Sequence, residues 1–159
     1  MGDGPYGTYN ESSSKEDPMR VPGKTQYNVE FPSDPVVNEK LTRLLARTKV
    51  DMRSVVTTCV GARTLVQFLA PKSEALREDL KKLGVSVREE LIFQFEMPHH
   101  HWELHKLAKS LATEGINILS LYSNVEGEQM RIVLAVDQPA NAMAIIEKLG
   151  FEPDYAIYD

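Results

Sequence analysis

Apolar and polar side chains alternate from Tyr27 to Phe31, placing Tyr27, Val29 and Phe31 on one face, which is the two-residue period of a strand. After Asp34-Pro35 the period lengthens, and Val37, Leu41, Leu44 and Leu45 recur at helical spacing. An aspartate cap with a proline in the first turn is a helix start. Met52 to Val60 is rich in β-branched residues, Gly61-Ala62-Arg63 reads as a turn, and Leu65 to Ala70 as the second arm of a hairpin. Ser73 then caps a helix with Leu76, Leu80 and Leu83 on one side, which Gly84 ends before a short strand from Val85 to Arg88.

The same order follows once more. Leu91, Phe93, Phe95 and Met97 predict a strand, and Leu104, Leu107, Ala108 and Leu111 the buried stripe of a helix that stops near Gly115. Ile116 to Val125 and Met130 to Val136 flank a turn at Glu126-Gly127-Glu128. Pro139 opens a helix carrying Ala142, Ile145, Ile146 and Leu149, Gly150 ends it, and a last strand is expected from Asp154 to Tyr158.

At an offset of 66 residues, Tyr27 to Glu89 aligns without a gap on Phe93 to Tyr155, with eleven identities that include Glu30/Glu96, Ser54/Ser120 and Gly61/Gly127. Ordinary residue usage would give roughly four. The expected fold is therefore α+β: tandem ferredoxin-like βαββαβ subdomains, each a four-stranded antiparallel sheet with both helices on one face. The division predicted is a disordered tail over 1–24, a first domain over 25–90 and a second over 91–159. Helices cover only one side of each sheet, so the open faces and edges are expected to find neighbours, and a homodimer follows.

The tail prediction rests on composition, since residues 1–24 contain no Leu, Ile or Phe. Pro22-Gly23-Lys24-Thr25 resembles the end of a phosphate-binding loop, but Pro18 stands where that motif needs glycine. The whole chain of 159 residues carries a net charge of −5, which argues against nucleic acid and anionic membrane as partners. Its single cysteine, Cys59, excludes an intrachain disulfide and a cysteine zinc cage, and with no apolar run of membrane-spanning length a cytoplasmic protein is expected.

Glu96-Met97-Pro98, the run from Glu103 to Ala112, Glu114-Gly115-Ile116-Asn117-Ile118, Asp137-Gln138-Pro139 and Glu147-Lys148-Leu149-Gly150-Phe151 together resemble an ACT domain. The first half resembles a more divergent copy, and the whole from about Thr25 onward resembles the small stand-alone tandem-ACT proteins. The resemblance implies a regulatory module that binds an amino acid between paired domains and passes the event to a partner enzyme or regulator, without catalysis or cofactor. It also implies ligand contacts from the loop after the first strand and from the start of the second strand. Here these are Ser33, Asp34, Pro35, Val36 and Asp51 in the first half, and His99, His100, His101, Trp102 and Asn117 in the second. Val36 and Trp102 stand where the family usually has glycine.

The chemistry of those residues suits a zwitterion. A helix N-terminus seats a carboxylate, Asn117 both donates and accepts, and Asp51 can pair with an ammonium group. Two other readings stay open. All four histidines lie between His99 and His105, and His101 and His105 would share a face on a helix, so His99, His101 and His105 form an alternative zinc or nickel set. The other is a structural dimerisation module without a ligand. No nucleophile, base and orienting group occur together in a catalytic pattern.

Overall fold

The structure is a computed structural model that describes residues 24–153. The tail up to Gly23 and the expected strand from Asp154 to Tyr158 lie outside the described residues. The chain divides into two compact units, Lys24–Leu91 and a second beginning at Ile92.

In the first unit, β1 (Lys24–Pro32), α1 (Pro35–Arg47), β2 (Arg53–Val60), β3 (Arg63–Ala70) and α2 (Glu74–Lys82) are followed by β4 (Ser86–Pro98). The strand order is β2-β3-β1-β4, the arrangement expected of a ferredoxin-like sheet. Register is set by the apolar alternation: Tyr27 lies opposite Phe68 and Val29 opposite Val66, so these residues share one face. Leu41, Leu44 and Leu45 of α1 and Leu76 and Leu80 of α2 close over that face as one core. Tyr27 and Phe68 stack there with ring centroids 5.3 Å apart.

The predicted caps explain where the helices begin. Asp34 Oδ1 accepts a hydrogen bond from the Val36 N–H at 2.9 Å, with Pro35 in the first turn. Ser73 Oγ likewise accepts from the Leu76 N–H at 3.1 Å. Gly84, at φ +88°, takes the left-handed conformation that ends α2.

On the opposite face of β1, two polar side chains are buried. Gln26 is fully buried and Asn28 nearly so. Glu90 Oε1 accepts from Gln26 Nε2 at 2.9 Å and from Asn28 Nδ2 at 3.0 Å, while Gln67 Nε2 donates to Asn28 Oδ1 at 2.8 Å.

The second unit continues β4 and adds α3 (Glu103–Thr113), β5 (Ile118–Glu126), β6 (Gln129–Val136) and α4 (Pro139–Lys148), in strand order β4-β6-β5. Phe93, Phe95 and Met97 meet Ile132 and Leu134 of β6, Leu107 and Leu111 of α3, and Ala142 and Ile146 of α4 in a second core. The helical face is thus built from positions that repeat those of the first unit at the offset of 66 residues.

One element differs from expectation. The short strand Val85–Arg88 and the strand beginning at Leu91 are a single strand, β4, of 13 residues. No glycine or proline separates them: Glu89-Glu90 offers the backbone no reason to turn, and both carboxylates are held, Glu89 by Arg77 at 3.0 Å and Glu90 by the amides of Gln26 and Asn28.

Candidate ligand-binding site

The loop between the first strand and first helix is held the same way in both units. Ser33 N donates to Ala62 O at 2.8 Å, and His99 N donates to Glu128 O at 2.8 Å. These pairs are equivalent in the repeat, so each loop is fastened to the tip of its own hairpin. The hairpin tips turn through Gly61 and Gly127, whose φ values of +60° and +64° are open to glycine at no steric cost.

The two loops differ in what they offer. In the first unit Ser33 Oγ lies 2.9 Å from Thr64 Oγ1 and 3.2 Å from Cys59 Sγ, so three small polar groups cluster beside the Asp34 cap. Val36 projects outward, more than half exposed. In the second unit the helix starts later: Pro35 aligns with His101, but α3 begins only at Glu103. The cause is local, because Asp34 supplies a short capping oxygen, whereas no side chain caps the first turn of α3.

This shift places the histidines differently from regular helical spacing. His101 belongs to the turn before α3, so it does not share a helical face with His105. His101 instead lies against His100, with ring centroids 5.9 Å apart, and His105 meets Trp102 edge to face at 5.4 Å. Among the described residues no group of three or more His, Cys, Asp or Glu comes together in a way that could hold a metal ion. All four imidazoles and Trp102 are exposed.

Asp51 and Asn117 stand elsewhere. In the first sheet Pro32 lies opposite Arg63 at one end, and Arg53 lies opposite Leu69 at the other. At about 3.3 Å per residue, the six steps from Arg63 to Leu69 put the Ser33–Val36 loop and Asp51 roughly 20 Å apart. The second sheet repeats this, with Pro98 opposite Gln129 and Ile118 opposite Val136. Neither unit therefore brings its own two sets of predicted contacts together. Asp51 is engaged by Arg53 at 3.1 Å in an exposed ion pair. The Asn117 backbone is fixed by Asp137, whose carboxylate accepts from Asn117 N at 3.0 Å and whose own N–H donates to Asn117 O at 3.2 Å. The Asn117 residue as a whole is exposed.

Two features of these regions escape a reading of the sequence. Both second strands start with a register shift, between Arg53 and Val56 in β2 and between Ile118 and Ser120 in β5. In β2 the irregularity contains Ser54 at φ +54°, a left-handed conformation rarely adopted outside glycine, asparagine and aspartate. Such bulges bend a strand and re-aim its side chains. A run of β-branched residues gives no sign of them. The Asn117–Asp137 clasp closes the second sheet's corresponding end, with Asp137 two residues before the start of α4.

Comparison with other proteins adds the fold. No family model matches the chain, and no curated protein matches it. Solved structures do. Protein BT0572 from Bacteroides thetaiotaomicron superposes with a TM-score of 0.70 at 13% identity, over 84% of this chain and 92% of that one. The ligand-free regulatory subunit of aspartate kinase from Thermus thermophilus gives 0.56 at 14% identity, over 79% and 91%. Aspartate kinase of Clostridium acetobutylicum gives 0.54 at 12% identity, over 79% of this chain and 32% of that enzyme. The chain thus shares the ferredoxin-like α+β fold of these solved structures. Among the described residues no helix is long and apolar enough to cross a membrane.

Proposed function

We propose that this protein is a non-enzymatic regulatory module that binds an amino acid and, on binding, changes its association with a second copy of itself. The observation that carries the reading is the separation within each sheet of the two candidate contact sets, roughly 20 Å by strand geometry. A single amino acid cannot span that distance. An edge strand can solve the problem: β2 is an edge of the first sheet and is exposed along nearly its whole length. Antiparallel pairing of two β2 edges across a twofold axis would set the Ser33–Val36 loop of one copy toward Asp51 of the other. The same geometry at β5 would bring His99–Trp102 toward Asn117 of the partner copy.

The chemistry at each end supports this ligand class. The uncapped first turn of α3 offers backbone N–H groups to a carboxylate, and Asp51 offers a counter-charge to an ammonium group, being held only by an exposed and weak ion pair. The likeness to regulatory subunits of aspartate kinase supports a regulatory rather than catalytic role, with an enzyme or regulator as downstream partner.

Thermal unfolding and sedimentation with each of the twenty amino acids tests the proposal. A ligand at a hundred times its dissociation constant adds about 2.7 kcal/mol, seen as a raised midpoint, and the same ligand should shift the monomer–dimer distribution. Failure of every amino acid to move either quantity would leave the alternative of a structural dimerisation module.

A further inference from the structure

The chain is acidic overall, with a net charge of −5, yet one face of its first unit is strongly basic. Lys40, Arg43 and Arg47 recur on α1 at spacings of three and four, so they line one side of the helix. Across a cleft of about 290 Å³ stands Lys82 of α2, with Leu44 in the lining and Asp79 as the one acid. The lining holds four cations and one carboxylate, and with the Glu39 carboxylate on Arg43 counted as well, two positive charges remain in excess. Arg43 is held by Glu39 at 2.6 Å. Among the described residues Lys40, Arg47 and Lys82 form no ion pair.

Helix dipoles account for part of this, because Arg47 and Lys82 lie in the last turns of their helices, where cations are favoured. Lys40 and Arg43 lie in the middle of α1 and gain nothing from the dipole. The second unit offers a comparison. Its fold repeats the first, but the corresponding positions are Lys106, Lys109, Thr113, Ile145 and Lys148. Lys106 is paired with Glu103 at 3.1 Å, and the hollow of about 320 Å³ beside α4 is a different one, sharing only Ile145 and Lys148 with these positions. Those positions thus carry three lysines and no acid, and what sets the first unit apart is its two arginines, in place of Lys109 and Thr113, and a cleft whose lining gathers all four cations.

The geometry points to an anion-binding cleft between α1 and α2 of the first unit that takes a small molecule bearing several phosphates, such as a nucleoside triphosphate. The Arg47 guanidinium fork suits phosphate oxygens, the flexible ammonium groups of Lys40 and Lys82 can follow the chain, and Arg43, one turn from Arg47, adds the donors that Glu39 leaves open. Two excess positive charges, with three cations that form no ion pair among the described residues, suit a chain of phosphates better than a single carboxylate. The volume is at the lower end of the range for small-molecule clefts and excludes a macromolecular ligand as its whole occupant. None of these residues belongs to the proposed amino-acid site, so the two readings stand or fall separately.

Binding of sodium tripolyphosphate, ATP, AMP and sodium sulfate to the full chain, measured by calorimetry at matched ionic strength near 0.15 M, tests this where surface attraction is largely screened. Tripolyphosphate and ATP should bind, and AMP and sulfate at least about tenfold more weakly, as expected when two or more charge-assisted contacts are lost. Equal affinity for ATP and tripolyphosphate would assign recognition to the phosphate chain alone, and tighter binding of ATP would add the nucleoside; both support the cleft. The variant Lys40→Glu/Arg47→Glu/Lys82→Glu should lose about tenfold or more, whereas Lys106→Glu/Lys148→Glu should stay within about twofold. Single Lys40→Gln and Arg47→Gln changes, at exposed positions that leave the core untouched, should each lose a few-fold and keep the test open if the triple variant does not fold. No binding of tripolyphosphate, sulfate binding equally well, or equal losses in the two sets of variants would overturn the proposal.

Discussion

The backbone N–H of Ser73 donates to the Tyr27 hydroxyl at 2.9 Å, joining the first strand of the N-terminal unit to the cap of its second helix. The same tyrosine ring stacks on Phe68 in the core and is wholly buried. One side chain thus supplies both packing and the acceptor for an N–H at a helix start.

Tyr27→Phe keeps the ring and removes that acceptor, and should cost about 1–2 kcal/mol, the price of leaving a half-buried N–H without its partner. The change also has a pH signature. Burial, ahead of the nearby Glu89 charge, pushes the Tyr27 phenol above its ordinary range, with the Ser73 backbone opposing. The folded chain therefore keeps a proton that the unfolded chain releases near pH 10, so this contribution is whole below that pH and is lost as the pH rises through the folded-state value. Urea midpoints from pH 8 to 11 should fall less steeply in Tyr27→Phe than in the parent. Parallel slopes would show that another group governs alkaline unfolding.

Glu90→Ala should be among the most destabilising single changes in the first unit, at about 2–3 kcal/mol, because it takes one acceptor from two buried amides, Gln26 and Asn28. Glu90→Gln should recover part of the loss through its remaining carbonyl oxygen. Chemical denaturation of the three proteins measures both differences.

Asp51→Ala and Asn117→Ala should each change stability by less than about 1 kcal/mol, since both residues are exposed and the Asp51–Arg53 pair is solvated. The amino-acid-dependent rise in unfolding midpoint should nevertheless shrink in each. A variant that lowers stability while leaving the ligand shift intact would assign the residue to the fold instead.

Trp102 is the protein's single tryptophan and is 63% exposed. Its emission is expected to move to shorter wavelength when a ligand and a partner copy cover the loop. Trp102→Ala should alter stability by no more than about 0.5 kcal/mol.

Much of the fold was legible because its signals are local. The alternation of Tyr27, Val29 and Phe31, the Asp34-Pro35 helix start and the Ser73 cap each act within a few residues, and the structure realises all three. The merging of two expected strands into β4 was not legible, since it depends on what holds Glu89 and Glu90 far along the chain. The buried polar pair on the back of β1 was hidden for the same reason: Gln26 and Asn28 alternate with apolar residues as any solvated positions would, and only the register shows them tied to Glu90 and Gln67. At the candidate site, the loop residues could be named from the resemblance, but the later start of α3 depends on whether one side chain reaches one N–H, and that moved His101 off the helix.

The register shifts at the start of β2 and β5 carry a consequence for solubility. An exposed strand edge bearing Val55, Val60, Leu119 and Val125 would otherwise be a template on which chain after chain could add. A bulge confined to one end breaks the even spacing of backbone donors and acceptors, so that an incoming strand finds a regular ladder over only part of its length. An edge interrupted in this way admits an added strand in fewer alignments, so the irregularity that bends the strand also works against open-ended growth.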